Sequence, residues 1–301
     1  MGAKVSFDNK RLFFENRFYL GFLSAFLLYG INHGFARKLK EYCRSYQNTK
    51  RKIFKPIEKR GYANMEKREQ LYEGKAKKVY LTDEPELLIV AYKDDATAFN
   101  GLKKGTIVGK GIINNRMSNL LMQRLEKAGV PTHFVNEIND RETVVKKVSI
   151  VPLEVIIRNI AAGSFSKRYG VDEGVVFDSP TIEFSYKNDD LGDPLLNEYH
   201  ALALHLATPE EIEIIKKYSF IVNEELKAFW KECGITLVDF KLEFGRLSDG
   251  TIVLADEISP DTSRLWDSKT GEKLDKDRFR RDLGGTEDAY AEVMKRLTAH
   301  I

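Results

Sequence analysis

The residues with the clearest capacity for chemistry lie between Thr236 and Pro260, in the run TLVDFKLEFGRLSDGTIVLADEISP. At a two-residue period Leu237, Asp239, Lys241 and Glu243 fall on one side, and Val238, Phe240, Leu242 and Phe244 on the other. One face is oily, and its opposite carries two acids and a base. Ser248-Asp249-Gly250 is turn chemistry and Ile252 to Ile258 reads as a returning strand, so the stretch is a β-hairpin. A two-residue turn at Asp249-Gly250 sets Glu243 directly across from Asp256. Like charges so placed, with Cβ atoms roughly 5 Å apart, repel one another. A cation between them relieves the repulsion, and carboxylate oxygens suit Mg²⁺, above all where phosphate oxygens complete its shell. Acids on a hairpin more often form a solvated polar face. Strict alternation beside a strongly apolar face favours a site.

Two further stretches could handle anions. Gln70 to Leu81 reads as strand, tight turn and strand, with Gly74 at the turn and Lys75, Lys77 and Lys78 beside it. A glycine turn lets backbone N–H groups approach a phosphate, and the lysines supply charge. It matches neither GxxxxGK[ST] nor GxGxxG, so alone it is also an ordinary solvated hairpin tip. The strand Leu153 to Arg158 delivers Arg158 to Asn159-Ile160-Ala161-Ala162-Gly163-Ser164, where small residues leave room for a ligand and the guanidinium can fork onto phosphate or carboxylate. Arg264, close after the acidic strand, would counter a second anionic group. His133, His200 and His205 have no spacing that suggests catalysis, and no serine, cysteine or zinc chemistry is indicated.

These residues need elements to position them. Leu87 to Tyr92 reads as a buried strand, Asp94 to Gly101 as a polar loop, and Thr143 to Val148 as another strand. Ile112, Ile113, Leu120, Leu121 and Leu125 recur at helical spacing, with Gly129 and Pro131 ending that helix. Thr208-Pro209-Glu210-Glu211 is a capping box with proline at the first helical position; its helix runs to Cys233, turns Ile212, Ile215, Val222, Leu226 and Phe229 inward, and stops at Gly234.

A chain of 301 residues, 43% hydrophobic and 31% charged, can bury a full core. Its net charge of +3 is unevenly spread: residues 1–64 hold 14 Lys+Arg against 4 Asp+Glu, and the other 237 hold 34 against 41. The acidic balance of the longer part argues against nucleic acid as the main partner. Cys43 and Cys233 are far apart, so no disulfide framework is available and a reducing compartment fits. Within the leader, Phe18 to Ile31 is an uncharged apolar run of 14 residues, shorter than the roughly 20 a spanning helix needs, and a basic run follows it. The preferred reading starts the working protein at Met65 and leaves 1–64 outside the fold. A membrane-associating leader is the rival.

Seven segments occur in an order that identifies a family: GKAKKVY (74–80), DDATAFNG (94–101), VIIRNIAAGSFSKRYG (155–170), KNDDLGDP (187–194), LVDFKLEFG (237–245), DEISPDTSRLWD (256–267) and KDRFRRDLGG (276–285). Each is modest alone; together they resemble phosphoribosylaminoimidazole-succinocarboxamide synthases (SAICAR synthetases) over residues 65–301. The resemblance implies an α+β, two-lobed, distantly kinase-like fold: an antiparallel β-rich N-lobe (65–147), a larger α/β C-lobe (148–301) with the substrate and metal residues, and ATP in the cleft. It implies a cytoplasmic ATP-dependent ligase of purine biosynthesis that joins L-aspartate to the carboxylate of carboxyaminoimidazole ribotide. Lys75, Ala76, Lys77 and Val79 would then face ATP, with Lys146, Lys147 and the link to Val151 along the adenine. Glu243 and Asp256 would hold Mg²⁺. Arg158, Ser164 and Arg264 would bind the ribotide, Lys241 would lie near the reacting carboxylate, and Lys187, Asp190, Asp239 and Asp261 would be site residues, Asp239 as the candidate base. A homodimer is the expected assembly.

A phosphotransferase shares the glycine turn, lysines and paired acids, but HRDxxxxN and DFG are missing. A scaffold run by the basic leader is the reading from a different class. Removing residues 1–64 is expected to leave turnover and solubility intact; loss of turnover in the truncated chain would make the leader part of the working protein.

Overall fold

The computed structural model describes residues 65–98 and 101–301; the leader 1–64, and with it the expectation that it stands apart from the fold, lies outside the described residues. Five strands build a first antiparallel sheet: β1 (Gln70–Glu73), β2 (Lys77–Leu81), β3 (Leu87–Tyr92), β6 (Phe134–Asn139) and β7 (Glu142–Lys146), in the order β1-β2-β3-β7-β6. The expected turn at Gly74 is present, its amide donating to the Lys77 carbonyl at 2.8 Å. Val79 and Leu81 pack onto a small core of Leu88, Val90, Tyr92 and Val145.

The stretch expected as a polar loop after Asp94 is instead a strand, β4 (Asp95–Ala98), paired with β5 (Lys103–Thr106) in a separate two-stranded ribbon. Ala96 and Ala98 turn inward at a two-residue period. Alanine is a weak strand former, and the flanking acids hide so short an alternation. Phe99 and Asn100, between the two strands, lie outside the described residues.

A second, larger sheet runs β10-β9-β8-β11-β12, with β13 also on β11; all its pairings are antiparallel. Its strands are β8 (Ser149–Ile160), β9 (Val176–Tyr186), β10 (Leu195–Leu196), β11 (Ile235–Arg246), β12 (Ile252–Ala255) and β13 (Ser263–Asp267). The first sheet's last strand ends at Lys146 and the second begins at Ser149, so the change of sheet falls where a lobe boundary is expected. Helices α1 (Lys110–Lys127), α2 (Ser164–Tyr169), α3 (Glu198–Ala203), α4 (Pro209–Glu232), α5 (Asp277–Arg280) and α6 (Thr286–Thr298) complete an α+β chain. No helix of the described residues is long and apolar enough to cross a membrane.

α4 follows its sequence closely. Thr208 Oγ1 accepts from the Glu211 amide at 3.2 Å while Glu211 Oε2 accepts from the Thr208 amide at 2.8 Å, satisfying two otherwise unpaired donors. Ile212, Ile215, Val222, Leu226 and Phe229 are buried in the main core, and Gly234 takes a left-handed φ of 68° past the end. α1 departs from the simple apolar stripe. Met117, Leu121 and Leu125 enter the main core, whereas Ile112 is exposed and Asn115 and Asn119 are buried. The two asparagines hydrogen-bond Thr143 of β7 at 2.7 Å, so α1 ties the core of the larger sheet to a strand of the smaller one through its polar side.

β11 also departs from strict alternation. Leu237, expected on the polar face, packs in the main core with Phe240, Leu242 and Phe244, while Val238 joins a separate cluster with Ile160 and Ala162. The cause is a register shift against β13 between Leu237 and Asp239, an extra residue that reverses the pattern upstream of it. From Asp239 to Phe244 the expected alternation holds.

Gly245 sits at a second irregularity of β11, against β8, where an added Cβ would stand 2.6 Å from both Cβ and Cγ2 of Val148. Gly245→Ala is expected to destabilise the fold by about 1–3 kcal/mol through overpacking, read as a lower urea midpoint. An unchanged midpoint would mean that the link at Val148 yields freely.

Candidate active site

The hairpin that carries the acids turns through three residues, Ser248, Asp249 and Gly250, rather than two. The Leu247 amide donates to the Thr251 carbonyl at 2.9 Å, and Gly250 has φ 83°. Glu243 therefore pairs with Ala255, not Asp256, which corrects the expected register by one residue. A one-residue slip ordinarily sends a side chain to the opposite face. Here Asp256 lies just beyond the end of β12 with φ 59°, a left-handed conformation that Asp tolerates better than most residues, and it meets the same lysines as Glu243.

Those lysines come from separate elements. Glu243 Oε1 accepts from Lys241 Nζ at 2.6 Å and from Lys187 Nζ at 2.9 Å, and Lys241 also donates to Glu154 of β8 at 2.8 Å. Lys77, pointing in from the Gly74 turn, is ion-paired with Asp256 and lies 3.4 Å from Glu257. Lys75 reaches outward to Asp189 at 2.6 Å. Burial alone would neutralise such groups, but their mutual attraction wins. Burial opposes ionisation of Asp256, yet Lys77, Lys241 and Lys187 hold its carboxyl well below the usual carboxylate range. Burial likewise works against the Lys241 ammonium, but Glu243, Asp256 and Glu154 raise it above the ordinary lysine range; Lys77 is raised against burial by Asp256 and Glu257. His133, which the sequence leaves without a catalytic role, is buried beside this cluster. Burial and the charge of Lys77 push its imidazole down to about 3 against the pull of Asp256, so it is neutral at pH 7.

A second cluster grows from the same strand. Asp239 of β11 is the register partner of Arg158 on β8 and of Arg264 on β13, so three adjacent strands set an arginine–carboxylate–arginine row. Arg158 Nη1 donates to Asp239 Oδ2 at 2.7 Å; Arg264 Nη1 donates to Oδ1 at 3.0 Å and Oδ2 at 2.8 Å. Arg158 Nη2 continues to Glu183 at 3.0 Å and Ser164 Oγ at 3.3 Å. Arg264 Nε donates to Asp277 at 2.9 Å. Gly163 has φ 55°, and an added Cβ there would lie 2.7 Å from Arg264 Cζ. Only glycine lets the guanidinium rest against that backbone.

Other expected site residues lie further from these clusters or play a supporting part. Lys146 Nζ donates to the Thr132 carbonyl at 2.8 Å, and the Lys147 amide to the Glu86 carbonyl at 2.8 Å. Val79 belongs to the small core, and the Ala76 carbonyl accepts from the Lys93 amide. Asp190 is exposed in a single 3₁₀ turn, where its neighbour Asp189 takes the ion pair with Lys75. Asp261 is buried, held by Lys110 Nζ at 2.8 Å and the Tyr290 hydroxyl at 2.6 Å. Sequence reasoning missed Glu154, Glu183, Asp189, Glu257 and Asp277. Glu154 had a signal, since it shares the two-residue phase of Arg158 on one strand.

Lysines paired with acids, and an arginine row beside them, on an α+β scaffold suit a nucleotide-dependent ligase that handles a second anionic substrate. Comparison with known proteins narrows the class. The SAICAR synthetase family model matches residues 70–297, and the chain belongs to that family. It is 67% identical over 233 residues to the phosphoribosylaminoimidazole-succinocarboxamide synthase of Lachnoclostridium phytofermentans, covering 77% of this chain and 99% of that protein. Among solved structures, the synthase from Ehrlichia chaffeensis is 49% identical, with a TM-score of 0.76 over 77% of this chain and 99% of its own. A SAICAR synthetase in complex with ADP is 48% identical, with a TM-score of 0.74 over 76% of this chain and 97% of its own.

Asp275 lies behind the arginine row, accepting from the Leu265 and Asp277 amides at 2.8 Å each. Burial, then the charge of Asp277, pushes its carboxyl up to about 7. A folded-state value above the unfolded one near 3.9 makes its contribution complete below about pH 4 and lost progressively as pH rises towards 7. Asp275→Asn cannot ionise, so its melting temperature is expected to gain on the wild type's between pH 5 and 8. A difference independent of pH would contradict this.

Proposed function

We propose that the two clusters on β11 divide the SAICAR synthetase reaction between them. The chain is an ATP-dependent ligase that joins L-aspartate to the carboxylate of carboxyaminoimidazole ribotide, giving SAICAR, ADP and phosphate. Lys75 and Lys77 with the backbone at Ala76 meet the ATP phosphates, and Val79 with the segment Lys146-Lys147 lies along the adenine. Arg158, Arg264 and Ser164 bind the ribotide. Lys241 stands between the two ends, near the reacting carboxylate. The observation that carries this reading is spacing along one strand: Asp239, Lys241 and Glu243 share a face, so successive members are about 7 Å apart. A substrate held at the arginine row can present its carboxylate at Lys241, beside the acids.

The donor set at Glu243 and Asp256 fits Mg²⁺. Both are hard oxygen donors on the same lysine cluster, Asp256 is held ionised, and phosphate oxygens would complete the shell. When bound, the ion neutralises charge on the transferring phosphoryl group. A carboxylate is a poor acylating agent, so activation as an acyl phosphate at the expense of ATP precedes attack by the aspartate amine, which displaces phosphate. Lys241, kept charged by its acidic neighbours, stabilises negative charge developing on the ribotide carboxyl oxygens and does not serve as a base. Asp239, first read as a candidate base, has both oxygens occupied by guanidinium groups and orients Arg158 and Arg264 instead. Asp261, through Lys110 and Tyr290, supports the segment after Asp256 from inside. Lys187, which donates to Glu243, and the exposed Asp190 contribute to substrate binding from the 187–191 turn. We place the enzyme in the cytoplasm as a homodimer.

The test is an assay with the full chain, Mg·ATP, aspartate and the ribotide. Phosphate release that needs both co-substrates is expected. ATP turnover with another acceptor would point to a phosphotransferase, and no turnover to a scaffold. Lys241→Gln is expected to lower kcat by about 10²–10³-fold, as for loss of one preorganised charge-stabilising donor, with its melting temperature kept within a few degrees of wild type. Near-normal turnover in that variant would remove Lys241 from the reacting centre.

A further inference from the structure

We infer that Asp277 is a positioning residue for the ribotide: it fixes the plane of Arg264 so that one guanidinium edge is left facing the substrate. The inference rests on the reading that Arg264 meets the ribotide.

A guanidinium offers donors along three edges in a rigid fork. In Arg264, Nε donates to Asp277 Oδ2 at 2.9 Å and Nη1 donates to both oxygens of Asp239. Nη2 makes no hydrogen bond among the described residues and rests against Gly163, in the space that a side chain there would fill. Arg158 Nη2 and Ser164 Oγ meet next to the same glycine, so the free edge of Arg264 joins a patch of anion-binding groups. A single carboxylate on Nη1 would leave the long arginine side chain free to swing about that contact. The second carboxylate, at the opposite edge, removes that freedom.

Asp277 is itself held firmly. It is buried at the start of α5, its amide donates to Asp275 Oδ1 at 2.8 Å, and its Oδ1 accepts from Arg280 at 2.6 Å. Arg281 lies 3.5 Å from its other oxygen. Burial opposes its charge, but Arg264 and Arg280 outweigh it and hold the carboxyl down at about 2, so it is ionised at pH 7. The bland alternative is that Asp277 merely ties α5 to β13. That role would not distinguish one substrate from another.

Asp277→Asn keeps the size and removes the charge. Its KM for the ribotide is expected to rise about 10–100-fold, with the KM values for ATP and aspartate within about twofold and kcat little changed. Arg264→Lys cannot span both carboxylates, so adding Asp277→Asn to it is expected to change the ribotide KM by less than about threefold, because the two residues act as one unit. A parallel rise in the ATP KM, or full multiplication of the two effects in the double variant, would overturn the inference. Should Asp277→Asn fail to fold, Asp277→Glu keeps the charge and displaces it by one methylene; the ribotide KM must again rise alone, or the inference fails. Wild type measured alongside separates the two levels of argument, since wild-type turnover independent of the ribotide removes the underlying reading itself.

Discussion

A buried carboxylate gripped by two guanidiniums on neighbouring strands, Asp239 between Arg158 and Arg264, is the contact on which the arrangement of the site depends. Removing three charges from water costs several kcal/mol per ion unless each finds partners. The sheet meets that demand through register. β8 and β13 flank β11, and each sets its arginine opposite Asp239. Glu183 and Asp277 then take the outer edges of the two arginines. Breaking such a pair leaves an uncompensated charge inside the protein, so strand register and the geometry of the arginine row cannot vary independently.

The acid–lysine cluster obeys the same physics with a different outcome. Two residues further along the same face, Lys241 enters the site, and Glu243 follows after two more. The oily side of β11 anchors the strand through Phe240, Leu242 and Phe244 in the main core. Rigid packing on one face therefore aims the charges on the other, so that donors stand ready before charge develops. A polar face on a surface hairpin would be looser and its charges more heavily screened.

Legibility followed the range of the interaction. The α4 capping box, the Gly74 turn and the alternation from Asp239 to Phe244 are local, and each could be read from neighbouring residues. The hairpin register could not, because Ser248-Asp249-Gly250 supports either a two-residue or a three-residue loop and only the latter sets Glu243 against Ala255. The extra residue at Val238 was equally hidden, since its cause lies across the sheet on β13. Glu183 and Asp277 were missed for a similar reason: nothing near them in sequence marks an arginine partner arriving from another strand. The buried side of α1 misled because Asn115 and Asn119 look like solvent-facing residues until Thr143 is brought to them.

The pairing of lysines with acids bears on how such a site can bind a doubly loaded ligand. Lys75 has Asp189, Lys77 has Asp256 and Glu257, and Lys187 and Lys241 share Glu243. On the proposed reading, a nucleotide arrives with a divalent cation, an anion and a cation together. The lysines can then turn to phosphate oxygens while Glu243 and Asp256 turn to the metal, so every charge exchanges one partner for another of the same sign. Little uncompensated charge is exposed during the exchange, which limits the desolvation cost of binding in so buried a place. A cleft lined with lysines alone would attract phosphate more strongly but would have to keep those charges unpaired inside the protein without it. Paired acids moderate that penalty and, on the proposed reading, would provide in the same positions the oxygen ligands a divalent cation takes.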